Sequence, residues 1–265
     1  MPADPTPPAI AVHRLRKYNP ARMTDAEIEL TFVARKDVLE RILQDLAGER
    51  ADSRPQHHLI IGQRGMGKTT LLLRLAAALR SAAYRERFVP LVFAEEQYSV
   101  DRLSKFWLNC LDSLADCCEL EGDAAAADRI DGVVQRLDRS TSTTAAGDAD
   151  AARATLRALL DQAAQLQRRP VLLVDNLQIV FERTSDQQHE LRDALTQPGA
   201  PIIVAASPQL PSDLQDYGAA FYDQFKTHYL RALTVDDMRH ILVSLAEMTH
   251  RDDVSRHVLG HPGRL

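Results

Sequence analysis

The chain has 265 residues and a net charge of −5 with both signs interspersed, which excludes the broad basic field that holds a nucleic acid backbone. It can hold one α/β domain with a sizeable core and a short tail, and is too short for two full domains. Three cysteines (Cys110, Cys117, Cys118) in one helical stretch, no long apolar run and a proline-rich N-terminus predict a soluble, cytosolic protein without disulfides or a metal site.

In chain order, residues 1–19 carry Pro2, Pro5, Pro7 and Pro8 and are expected to be a disordered lead. Thr24 opens a short helix, and Arg35 to Leu46 forms a second with Val38, Leu39, Ile42, Leu43 and Leu46 at helical spacing. His57 to Ile61 is a short buried strand, and Thr70 to Arg80 is rich in strong helix formers. Between them lies Gly62-Gln63-Arg64-Gly65-Met66-Gly67-Lys68-Thr69, a match to the phosphate-binding pattern G-x-x-x-x-G-K-[ST] in the strand-to-helix setting its chemistry requires.

The glycines let consecutive N–H groups turn inward on an anion, and the following helix, starting around Thr70, presents its positive end to the same place. Lys68 is placed to neutralise the β- and γ-phosphates, and the Thr69 hydroxyl to complete a Mg²⁺ shell. Arg64 either faces outward or touches the γ-phosphate or a neighbouring subunit. These residues predict binding of a nucleoside triphosphate, ATP, with Mg²⁺.

Phe88 to Phe93 is a second strand ending near Glu95 and Glu96. Ser99 is placed to cap a helix whose apolar stripe is Leu103, Phe106, Trp107, Cys110, Leu111, Leu114 and Cys118, a packing face. Residues 123–138 form another helix, Ser140 to Gly147 a polar linker, and Ala151 to Leu166 an amphipathic helix. Val171 to Val174 is wholly apolar and ends at Asp175, as a strand buried on both faces does. Asp175 is a second candidate Mg²⁺ ligand. Asp186 to Thr196 predicts a helix, Pro201 to Ala206 a fourth strand ending at Ser207, and Thr227 to Leu230 a fifth. Strands alternating with helices predict an open parallel sheet with ligands at its carboxyl end. His57 and His58 have no partner spacing for a metal and are read as structural.

With these motifs the chain resembles the AAA+ group of P-loop ATPases and its STAND-type and origin-recognition-type relatives. The resemblance rests on Phe32-Val33-Ala34-Arg35 leading into a helix, Gly62 to Thr69, Val171 to Asp175, the strand ending at Ser207, and Phe225 to Leu233 before a Thr234-capped helix. It implies a three-layer sandwich around a central parallel five-stranded sheet, with a helical N-terminal lead-in. The ATPase domain then spans residues 20–250, and 251–265 begins a helical lid that is largely absent, so the chain reads as a fragment of a longer protein. The resemblance further implies that Phe32 to Arg35 lies by the adenine and that Ser207 senses the γ-phosphate, with Thr70 completing the phosphate site.

Three departures shape the functional expectation. The residue after Asp175 is Asn176, where the family places a water-activating glutamate; Asn176 can orient water and cannot take a proton. Glu95 or Glu96, on the strand expected beside that of Asp175, is the candidate substitute. An arginine finger before the fifth strand is replaced by Lys226, which lacks the planar fork of arginine; Arg183 and Arg192 are alternative candidates, both read as surface residues. Third, the lid's phosphate-sensing arginine has no counterpart to assign. The expectation is Mg²⁺-dependent ATP binding with slow hydrolysis, coupled to conformational or assembly change and to self-association through the core. The alternatives are a non-hydrolysing STAND-type switch, or an ATPase regulating a DNA transaction through a module outside this chain. The strand expected between those of the phosphate loop and Asp175 argues against a small-molecule kinase.

Overall fold

A computed structural model of the chain describes residues 23–93, 100–139, 145–215 and 217–248. Its centre is a five-stranded, all-parallel sheet of β1 (His57–Ile61), β2 (Phe88–Phe93), β3 (Arg169–Val174), β4 (Ile202–Ser207) and β5 (Phe225–Tyr229), in the order β2-β3-β4-β1-β5. The four inner and leading strands carry apolar residues on both faces, and alternate residues feed two separate cores. Ile60, Val171, Leu173, Ile202 and Val204 pack under α2 (Lys36–Gly48) and α3 (Lys68–Arg80). Leu59, Ile61, Leu172, Val174 and Ile203 face the other core, built with α4 (Leu103–Leu120), α5 (Ala124–Arg139) and α6 (Ala145–Gln165). The expected three-layer sandwich is therefore present.

Thr24 caps α1 (Asp25–Thr31) in a full capping box with Glu27, satisfying two N–H groups that a helix end leaves open. α4 buries the whole predicted stripe; Phe106 and Trp107 meet edge to face with centroids 4.9 Å apart. Each fully buried side chain of this size contributes roughly 1.5–3 kcal/mol.

Several boundaries differ from expectation. The cap position of α4 is Arg102, three residues after the expected Ser99, which lies outside the described residues. α6 starts at Ala145, so Gly147 is helical and the expected linker keeps only residues 140–144, outside the described residues. The reason is tertiary: Asp148 is buried and bonded to α4, which makes a polar stretch worth folding. The predicted helix at 186–196 is a 3-10 turn, Ser185–Gln187, followed by α8 (Gln188–Thr196). Ahead of it stands α7 (Leu177–Arg183), too short to show a clear period in sequence. β5 begins at Phe225, two residues early, because Phe225 pairs with His57 on β1. α9 (Val235–Met248) follows, with Thr234 bonded to Asp237 at its start. The expected lead at 1–19 and lid start at 251–265 lie outside the described residues. Among the described residues no helix is long and apolar enough to cross a membrane.

Candidate functional site

The phosphate loop follows β1 at the carboxyl end of the sheet. Gly62 N–H donates to Ser207 O at 3.2 Å, tying the loop's first residue to the end of β4. A Cβ on Gly62 would stand 3.1 Å from Leu230 Cβ, a tight approach to the exit of β5 that glycine relieves. Gly67 has φ 83° at the N-cap of α3, in the left-handed region that favours glycine, and Gly65 shares that φ. The turn aims the first N–H groups of α3, which have no intrahelical partner, into the loop.

Lys68 folds back over this loop, and its Nζ donates to Gly62 O at 2.7 Å and Gln63 O at 3.1 Å. Burial lowers the ammonium from its ordinary value, and the Asp175 carboxylate opposes that shift. The Thr69 hydroxyl donates to Asp175 Oδ2, joining residues far apart in the chain, and Asp175 is buried. Asn176 sits in the left-handed region at φ 55°, caps α7 by position, and donates its N–H to Asp175 Oδ1 at 2.9 Å. That donor holds one carboxylate oxygen while Thr69 holds the other.

Thr69 and Asp175 offer one hydroxyl and one carboxylate, oxygen donors that suit a hard divalent ion and no softer metal. Mg²⁺ takes one or two protein carboxylates and completes its shell with phosphate and water, so these two residues fit it. No group of three or more His, Cys, Asp or Glu placed to hold a metal exists among the described residues.

Beside the loop lies a cavity of about 320 Å³. The segment Thr31 to Arg35 forms one wall, Gly65, Met66, Gly67 and Thr70 the second, and Leu233 and Ile241 close it. Arg35 stands at the N-cap of α2 with φ 66°, and its Nε donates to Met66 O at 3.1 Å, binding the two walls together. The walls are mostly apolar with backbone edges, a surface suited to a flat heterocycle. A larger cavity, about 520 Å³, lies at the opposite end of the sheet. There the buried Arg169 is spent on Glu49 and on the carbonyls of Arg50, Ser53 and Ala200, so it is a structural junction.

Gly62 to Thr70, Arg35, Asp175, Asn176 and Ser207 gather at one end of the sheet, while Gln63 and Arg64 are exposed on the loop. Glu95 and Glu96 lie outside the described residues. Lys226 is engaged with Asp45 at 2.6 Å, Arg183 is exposed and Arg192 is half-buried. Ser207 is fully buried, and its hydroxyl faces Gln209 O at 2.6 Å and Gln178 at 3.1 Å. Gln178, Leu233 and Ile241 escaped the sequence reading; for Gln178 the available signal was its place in the turn directly after Asp175. The structural reading of the histidines also missed a partner, since His58 Nδ1 lies 3.1 Å from His228 Nε2.

A family model described as an AAA ATPase domain matches residues 31–205, more than half of the chain and inclusive of the phosphate loop and Asp175. The chain belongs to the AAA ATPase domain family. No curated protein matches it significantly. Among solved structures, this AAA ATPase domain is similar to the Orc1 protein of Aeropyrum pernix in complex with DNA, at 13% identity and TM-score 0.50. That match covers 85% of this chain and 53% of the Orc1 chain. It is also similar to PCH-2 of C. elegans, at 14% identity and TM-score 0.40, over 85% of this chain and 46% of that one. The domain thus spans about half the length of the Orc1 chain, and at this identity the likeness is one of fold.

Proposed function

We propose that this domain binds ATP with Mg²⁺, hydrolyses it slowly, and lets the nucleotide state set the arrangement of the domain or of neighbouring copies. The observation that carries the reading is the phosphate loop closed on Lys68, with Thr69 bonded to Asp175 across the sheet. The loop offers the β-phosphate its N–H groups and the positive end of α3. Lys68 exchanges the carbonyls of Gly62 and Gln63 for phosphate oxygens, and the mostly apolar cavity between Phe32 and Ile241 receives the base. Thr69 and Asp175 hold Mg²⁺, which when bound neutralises charge on the phosphate oxygens. Asp175 N–H donates to Phe93 O, and Glu95 and Glu96 follow in the chain, so one of them is our candidate to take the proton of the attacking water.

A binding switch without turnover is the second reading, favoured by Asn176 where an activating carboxylate would stand and by Lys226 paired to Asp45. Single-turnover hydrolysis, with protein in excess over labelled ATP and Mg²⁺, separates the two. Turnover that Lys68→Ala abolishes supports the ATPase; retained nucleotide without phosphate release supports the switch; an ATP dissociation constant unchanged by Lys68→Ala rejects the loop as the binding site. Phosphate release at the wild-type rate by both Glu95→Gln and Glu96→Gln would remove those two residues from the mechanism.

A further inference from the structure

Ser207 ends β4, the strand that separates β1, which leads to the phosphate loop, from β3, which leads to Asp175. Its backbone carbonyl accepts from Gly62, and its side chain meets α7. The Oγ lies 2.6 Å from Gln209 O and 3.1 Å from Gln178 Oε1, two oxygens that only accept. A hydroxyl has one proton. The shorter contact, to the Gln209 carbonyl, claims it. An oxygen of Gln178 against the remaining lone pairs of Ser207 would then be repulsive, and a half-turn of the amide replaces it with an N–H donor at the same distance. Both Ser207 and the inward end of Gln178 are then satisfied, and the Gln178 carbonyl oxygen is turned away from Ser207.

Gln178 stands on the first turn of α7, half-buried, and its side chain meets the end of β4, the strand between the one that leads to Asp175 and the one that leads to Gly62. We propose that Gln178 is the residue that orients the attacking water, accepting a hydrogen bond from it, with Ser207 holding the amide in place. The proposal rests on the hydrolytic reading above. A neutral amide positions water without taking its proton. As the water oxygen bonds to the γ-phosphorus, the bond to the β–γ bridging oxygen breaks and ADP leaves with the electron pair. The water's proton passes to a carboxylate or to a phosphate oxygen. Asn176 donates its backbone N–H to Asp175, and among the described residues no side-chain bond fixes its amide as Ser207 fixes that of Gln178. Ser207, with its proton spent on Gln209, is a positioning residue here and a weaker candidate for direct γ-phosphate contact.

The test is single-turnover hydrolysis alongside ATP binding and melting temperature for wild type, Gln178→Ala, Ser207→Ala and the double variant. The expected result is at least about a 10-fold slower turnover for Gln178→Ala, with its ATP dissociation constant and melting temperature near those of wild type. Ser207→Ala slows turnover by a smaller factor, and the double variant is no slower than Gln178→Ala alone, because both act through one amide. Wild-type turnover in Gln178→Ala overturns the proposal, and so does a parallel fall of turnover, affinity and melting temperature, the signature of a strut. A wild-type chain that retains ATP without any turnover instead removes the hydrolytic reading, and the role of Gln178 with it.

Discussion

His57 and His58 open β1 deep in the sheet, and burial keeps both imidazoles uncharged, lowered to about 4 and about 3 from the ordinary 6.5. His57 accepts from Ile203 N–H at Nδ1 and meets Leu195 O through Nε2, so it is the Nε2–H tautomer. His58 faces His228 and Asp45, whose carboxylate holds Lys226, and its Nε2 is buried with no partner among the described residues. His228 is lowered too, again mainly by burial. Because the folded state refuses protons that the unfolded chain accepts below 6.5, this stability is present in full above pH 6.5. It is lost progressively as the pH falls toward 4 and 3, and each of His57 and His58 costs on the order of 2 kcal/mol at pH 5. Urea midpoints should therefore fall between pH 7 and pH 5, and His58→Leu should flatten part of that slope. Equal slopes in the two proteins would mean that His58 titrates normally. That β1 is buried was legible in its composition, whereas the His58–His228 contact was not, since the two residues meet only once β5 pairs with β1.

Among the elements, α6 shows how packing overrides local signals. Its first residues, Ala145 to Gly147, belong to the stretch expected as a linker, yet the buried Asp148 that follows accepts from the Ser104 hydroxyl of α4 and from Gln187 Nε2 at 2.9 Å. Gln187 Oε1 in turn accepts from Leu103 N–H at 3.0 Å, standing in for the side-chain cap that α4 lacks. One carboxylate thus joins the starts of two helices to the turn after α7. Asp148→Ala leaves the buried Ser104 hydroxyl and the half-buried Gln187 amide without this acceptor and should lower the unfolding free energy by about 1–3 kcal/mol in urea titrations. An unchanged midpoint would show that the cluster adds nothing. The long stripe of α4 was readable in advance because a period of 3.6 persists over four turns; the short α7 offers too few residues for any period to emerge.

At the scale of the whole molecule, ligand binding and stability are linked. With ATP and Mg²⁺ at about 100 times the dissociation constant, the folded state should gain about 2.7 kcal/mol, visible as a rise in melting temperature. Chelating the metal or replacing Lys68 by Ala should shrink that rise at the same ATP concentration; an equal rise without Mg²⁺ would argue against Thr69 and Asp175 as its ligands. Sequence alone determined the phosphate loop, the aspartate ending an apolar strand, the parallel α/β class and the division of labour between core and surface. Each of these is written in contiguous residues, where backbone conformation and periodicity act over a few positions. Tertiary structure decided that Ser207 meets Gln178 across their ends, that His58 meets His228, and that Leu233 and Ile241 close the cavity opened by Phe32 and Met66. Those contacts join residues far apart in the chain, and their geometry follows from strand order and register, which come from the packing of all the strands and helices together.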